Sequence, residues 1–149
     1  MTRFRAAGLA LVLLAGCGDD PPPPAELMSG VNCSHCRMAV SDPRVAAQLV
    51  APGEDPRFFD DIGCLATYLK DHPAGAGARA YVADHASGSW IVANDAIYSR
   101  GDGIDTPMAS HLIAHTNDEA RARDAGARGA ARLTARDVFG PSGPPGGAR

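Results

Sequence analysis

The densest chemistry in the sequence lies at Cys33-Ser34-His35-Cys36-Arg37-Met38. A Cys-x-x-Cys pair chelates one ion or closes a disulfide. Met38 adds a thioether, which is neutral, polarisable and indifferent to pH in the biological range. Among abundant biological metals that donor suits Cu(I) far better than Zn(II), Mg(II) or Ca(II). Imidazole from His35, His111 or His115 is borderline and compatible with copper. Other chemistries stay open at this motif. A structural zinc site wants four ligands, so zinc would have to recruit Cys64 or a histidine. A thiol–disulfide oxidoreductase using Cys33/Cys36 would place the pair at a helix N-terminus after a strand, whereas a proline run and Leu27 to Asn32 precede it here. A plain structural disulfide fits an oxidising compartment.

A second sulfur donor stands at Thr106-Pro107-Met108, shortly before His111. Thr-Pro imposes an extended or turn backbone, an odd place for a core methionine. Cys36 as thiolate with the thioethers of Met38 and Met108, completed by Cys33 or His111, would form a low-coordinate Cu(I) site. Cys64 falls off the apolar stripe of its helix, on the flank it shares with Tyr68, and reads better as a small buried hydrophobe. No catalytic residues are assigned, and the chain is expected not to be an enzyme.

The elements that must position these donors read as short strands and helices. Ala46 to Val50 and Arg57 to Phe59 are expected strands, separated by the turn Pro52 to Pro56. Asp60 or Asp61 caps a helix to about Lys70, whose Ile62, Leu65, Ala66 and Leu69 form one apolar stripe. Ala80 to Ala83 is the strand after it. The order then recurs with strands at Ser89 to Val92, Ala96 to Tyr98 and Leu112 to Ala114. A helix follows from Asn117 to about Ala125, then a strand at Arg132-Leu133. Thr134 to Asp137 has capping-box spacing. The expected fold class is α+β: a strand–strand–helix–strand, or ββαβ, unit used twice in one small domain.

The ends read differently. Arg3 and Arg5 precede an apolar run, Ala6 to Gly16, of secretory rather than membrane-spanning length. It closes on Leu14-Ala15-Gly16-Cys17, which resembles the lipobox of bacterial lipoproteins. That resemblance implies a signal peptide over residues 1–16, acylation of Cys17, and anchoring in the lipid membrane on the periplasmic side. Residues 17–30, with Pro21 to Pro24, are expected to be an extended, stiff spacer. The domain proper then covers 31–139, and the Gly/Pro-rich 140–149 is expected to be a disordered tail. The 149 residues suffice for one such domain, and a net charge of −3 without a basic aromatic patch argues against nucleic acid as partner.

Taken in order, these motifs resemble the NosL family of copper-binding lipoproteins. They are the lipobox, Cys33-x-x-Cys36-x-Met38, Phe59-Asp60-Asp61-Ile62-Gly63-Cys64-Leu65, Asp84-x-x-Ser87-Gly88-x-Trp90-Ile91, Ala96-Ile97-Tyr98 and Thr106-Pro107-Met108. The resemblance implies paired ββαβ units, similar to part of organomercurial lyase. It implies delivery of Cu(I) to a cuproenzyme such as nitrous oxide reductase, with an apo-cuproenzyme or a copper-handling membrane transporter as partner. An organomercurial-cleaving activity would need an acid beside thiols, here Cys64 with Asp60 or Asp61, and fold likeness alone does not license it. The chain departs from the family pattern at Arg37, where glycine is usual, and at Ala109-Ser110-His111, where Gly-Ser-Gly is usual.

Overall fold

The structure is a computed structural model that describes residues 21–146. The expected signal peptide and the expected acylation site at Cys17 lie outside the described residues. Four strands, β1 (Ala47–Val50), β2 (Arg57–Phe59), β3 (Arg79–Ala83) and β4 (Trp90–Val92), form an antiparallel sheet in the order β2-β1-β3-β4. Three more, β5 (Ile97–Arg100), β6 (Leu112–His115) and β7 (Ala131–Leu133), form a second sheet in the order β6-β5-β7. Helix α1 (Ile62–Asp71) separates β2 from β3, and α2 (Asp118–Arg123) separates β6 from β7; α3 (Ala135–Phe139) follows β7. In both halves the first strand is central, flanked by the second and by the strand after the helix. The fold is therefore a small mixed α/β domain with two antiparallel sheets, and the ββαβ order occurs twice in it. One correction is needed: Trp90–Val92 does not open the second half but adds to the first sheet, pairing β3 through Tyr81↔Val92 and Ala83↔Trp90.

The local signals explain the elements. Asp61 caps α1, its carboxylate accepting from Gly63 N at 2.6 Å, and Asn117 caps α2 by accepting from Ala120 N. Thr134 and Asp137 exchange hydrogen bonds as a capping box on α3. Helix α2 ends at Arg123, earlier than its sequence suggests, because Asp124 leaves the helix and caps the 3-10 turn Ala125–Ala127. Ile62 and Leu65 of α1 are buried with Leu49, Phe59, Val82, Tyr98 and Leu112 in one core that spans both sheets. Among the described residues, no helix is long and apolar enough to cross a membrane.

The two sheets are joined at Asp84, immediately after β3, which forms a parallel bridge with Ala114 of β6. One oxygen of its buried carboxylate accepts from Thr116 N and Oγ1, both at 2.8 Å. The other accepts from Ala86 N, Ser87 N and Ser87 Oγ. Burial opposes the charge on Asp84, but the Thr116 and Ser87 donors outweigh it and hold the carboxyl down to about 2.

Both chain ends pack more closely than their composition suggests. Tyr81 Oη donates to Pro22 O at 2.6 Å, and buried Gln48 exchanges two hydrogen bonds with the backbone of Ala25. The proline segment is thus pinned to the first sheet from Pro22 onward rather than standing free. A polyproline stretch has no internal hydrogen bonds, so its carbonyls are open to such donors. The expected disorder from Gly140 is likewise corrected for residues 140–146. Ala80 N of β3 donates to Pro145 O at 3.0 Å, and Asn94 Nδ2 donates to Pro144 O. The turn at Gly140 brings these carbonyls onto β3 and Asn94, giving the segment partners that composition does not reveal.

Candidate metal centre

The Cys33–Met38 segment is a tight loop closed by its own backbone. Cys33 N donates to Met38 O at 2.7 Å, Arg37 N donates to Cys33 O at 3.0 Å, and Asn32 bridges to Ala39. Ser34 N donates to Phe58 O of β2, which sets the loop beside the start of α1. Asp60 holds the chain just beyond the segment by accepting from Ser41 N and Oγ. The neighbouring Asp61 does the same for the other sulfur-bearing loop: besides capping α1, it accepts from Met108 N at 3.3 Å and Ser110 N at 3.5 Å. Gly63 permits that approach, because a Cβ there would lie 2.6 Å from Ser110 Cβ. Two adjacent carboxylates thus draw both loops to one end of α1. That is the physical content of the Asp60-Asp61-Ile62-Gly63-Cys64 stretch.

Cys33, Cys36 and Cys64 meet at this point. Their Sγ atoms all lie within 4.8 Å of one another and none is in a disulfide. Cys33 and Cys64 are buried at the edge of the core, and Cys36 is half-buried. The favoured reading of Cys64 as a buried hydrophobe captured its burial and not its company. The signal available was its place off the apolar stripe, two residues into α1 from Ile62 and close behind a capping aspartate.

The three thiols differ. Burial opposes ionisation of Cys33, but the backbone N–H groups of Asp60, Cys36 and His35 directed at its sulfur hold its pKa below the usual thiol value. Burial pushes Cys36 up, and the neighbouring Cys33 adds to the rise. Burial pushes Cys64 far up, with Cys33 and Cys36 contributing. Cys33 is therefore the most readily ionised of the three.

Met38 and Met108 are, with Met28, the exposed large hydrophobic side chains among the described residues, at 50% and 42% exposure. Their backbones belong to the two loops gathered at the start of α1, the helix that carries Cys64, and both side chains are open to solvent. His111 stands outside the thiol group. Its Nδ1 donates to Ile104 O at 2.7 Å, which leaves Nε2 as the nitrogen with a free lone pair. His35 is exposed on the thiol loop. His115 is buried in the second sheet, bonded through Nε2 to Ser99 Oγ, and plays no part at this end of the molecule.

Arg37 (φ 68°), Ala109 (φ 52°) and His111 (φ 58°) are the non-glycine residues with left-handed backbone among the described residues. They are also the three positions at which this chain departs from glycine in the resemblance noted above. Left-handed geometry costs an L-residue about 1 kcal/mol, and here that strain lies beside Cys36, Met38 and Met108. Arg37→Gly is accordingly expected to leave the fold intact and to raise its stability by up to about 1 kcal/mol. A urea denaturation curve with a lower midpoint for the variant would contradict that account.

The NosL family model matches residues 24–138. Among solved structures, the chain resembles the crystal structure of the copper chaperone NosL from Shewanella denitrificans, with 17% sequence identity and a TM-score of 0.60. That likeness covers 76% of this chain and 94% of the other, and at such identity it speaks to the fold. No curated protein matches the chain. With the family model spanning both sheets, α1 and both sulfur-bearing loops, the chain belongs to the NosL family.

Proposed function

We propose that this protein binds Cu(I) as cargo and acts as an extracytoplasmic copper chaperone rather than an enzyme, held at a bacterial membrane through acylated Cys17. The observation that carries this reading is the convergence of three thiols within 4.8 Å at the end of α1, with exposed Met38 and Met108 on the flanking loops. Sulfur-rich, low-coordinate surroundings suit Cu(I). A closed structural zinc site would call for four firm ligands, and thioethers are poor ones for zinc. Cys36 with Cys33 supplies the anionic donors, and Met38 and Met108 add neutral ones that exchange readily. Cargo leaves by stepwise substitution: an incoming sulfur from the partner bonds to copper before an outgoing thioether lets go. The receiving partner is an apo-cuproenzyme, of which nitrous oxide reductase is the family's associated example, or a copper-handling membrane transporter.

The test is competitive Cu(I) titration of the reduced full chain against a chromogenic chelator. Met38→Leu with Met108→Leu removes both thioethers at nearly constant volume and is expected to weaken binding by at least roughly tenfold. Unchanged affinity in that double variant would remove the methionines from the site. A second reading, a thiol–disulfide oxidoreductase using Cys33/Cys36, draws support from the lowered Cys33 thiol. It requires metal-free disulfide reductase activity that Cys33→Ser abolishes.

A further inference from the structure

Beside the thiol loop lies a cavity of about 310 Å³ lined by Ser34, His35, Arg37, Arg57, Tyr68 and His72. Two arginines, two histidines, a tyrosine and a serine line it, and no acidic residue does. A second hollow of about 160 Å³ shares Arg57, Tyr68 and His72 and continues past Pro73 and Ala74, so together they make a groove. Glu54, the ion-pair partner of Arg57 at 2.7 Å, belongs to this second hollow and not to the first. One wall is ordered: Tyr68 stacks on His72 with ring centroids 4.2 Å apart and packs against Phe59 at 5.2 Å. His72 Nδ1 lies 3.1 Å from Tyr68 O. The chain as a whole carries a formal charge of −3, so this is a cationic hollow on an acidic protein.

Its position matters more than its charge. His35 lies between Cys33 and Cys36 in the chain, and Arg37 lies between Cys36 and Met38. The cavity is thus walled on one side by the loop that carries Cys33, Cys36 and Met38, although none of those three residues lines it. Arg37 also has a left-handed backbone that glycine would adopt without strain. Planar guanidinium forks match carboxylates bidentately, and charge complementarity of this kind governs encounter and register more than final affinity.

We propose that this groove is the docking socket for a carboxylate-bearing segment of the protein that exchanges Cu(I) with the thiol cluster, an inference that rests on the copper reading above. An Asp or Glu seated between Arg37 and Arg57 holds the partner's own copper ligands within reach of Cys36 and Met38, which turns ligand exchange into a local event.

The test uses two labelled synthetic acceptor peptides with one methionine-rich copper-binding core, flanked by glutamates in one and glutamines in the other. Binding of each to the reduced, metal-free full chain is measured by fluorescence anisotropy, and Cu(I) transfer from the loaded chain by stopped flow. The glutamate peptide is expected to bind and to receive copper roughly fivefold better at low salt, and the preference should vanish near roughly half-molar salt. Arg37→Gly with Arg57→Gln should erase the preference while Cu(I) affinity changes by less than about threefold; Arg37→Lys should retain most of it. Equal behaviour of the two peptides with the parent chain, or a preference that survives the double variant, would overturn the socket. So would a loss of Cu(I) affinity in the double variant with peptide preference intact, which would assign the guanidiniums to the copper–thiolate charge instead. Failure of the chain to take up Cu(I), with the metal-free peptide preference still present, would sink the copper reading and leave the carboxylate-docking groove standing.

Discussion

Cys36→Ser is expected to lower the Cu(I) affinity of the chain by more than about 100-fold. Outer-shell partners of a metal ligand typically cost roughly 10- to 100-fold when removed, so loss of a direct anionic sulfur must exceed that. Serine is nearly isosteric, but its hydroxyl does not ionise near neutral pH and offers a hard oxygen to a soft ion. The fold should survive, because Cys36 is half-buried on a loop closed by backbone bonds between Cys33, Arg37 and Met38. Competition titration reads the affinity, and a thermal melt confirms that the variant is folded. A loss below tenfold would mean that Cys36 is not a ligand. Cys64→Ser separates two versions of the site. As third ligand it should lower affinity by at least roughly tenfold; unchanged affinity with reduced stability would confine it to the core alongside Ile62 and Leu65.

The largest structural effect should come from Asp84→Asn, which is expected to destabilise the domain by about 3 kcal/mol, or roughly 10 °C in Tm. Five hydrogen bonds converge on this 3%-exposed carboxylate from Thr116, Ser87 and Ala86. An amide can accept through one oxygen only, and it turns donor hydrogens toward donors on its other side. Set against a total of about 5–15 kcal/mol for a typical domain, that loss is large. The same site sets a pH dependence. The folded Asp84 carboxyl, at about 2, lies below its unfolded value of roughly 4. Its contribution is therefore complete above about pH 4 and is lost as pH falls from there toward 2. Other carboxylates, among them Asp42 and Asp124, are also held low and will add to acid lability. The difference between parent and Asp84→Asn isolates this one: the stability gap measured by urea denaturation should narrow between pH 5 and roughly pH 2. A constant gap would contradict the assignment.

Much of this architecture was legible because its signals are local. Asp61, Asn117 and the Thr134–Asp137 box announce helix starts within four residues of themselves, and the structure has all three caps. The strands flanking α1 were readable for the same reason. Trp90–Val92 joins the first sheet and not the second, and nothing in three residues says which sheet edge is free to receive them. The proline segment and the Gly/Pro-rich tail look unfoldable by composition, and their partners Tyr81, Gln48, Ala80 and Asn94 are remote in the chain.

The sequence by itself determined the chemistry on offer: a Cys-x-x-Cys-x-Met loop, a second methionine after Thr-Pro, and helices whose caps place them. Only the tertiary structure decided which donors meet. It brought Cys64 to Cys33 and Cys36, used Asp60 and Asp61 to tie one loop each to the end of α1, and let Gly63 admit the Met108 loop. The reason is physical: caps and turns act through neighbouring peptide groups, whereas these contacts depend on the pairing of strands far apart in the chain and on the space left between them.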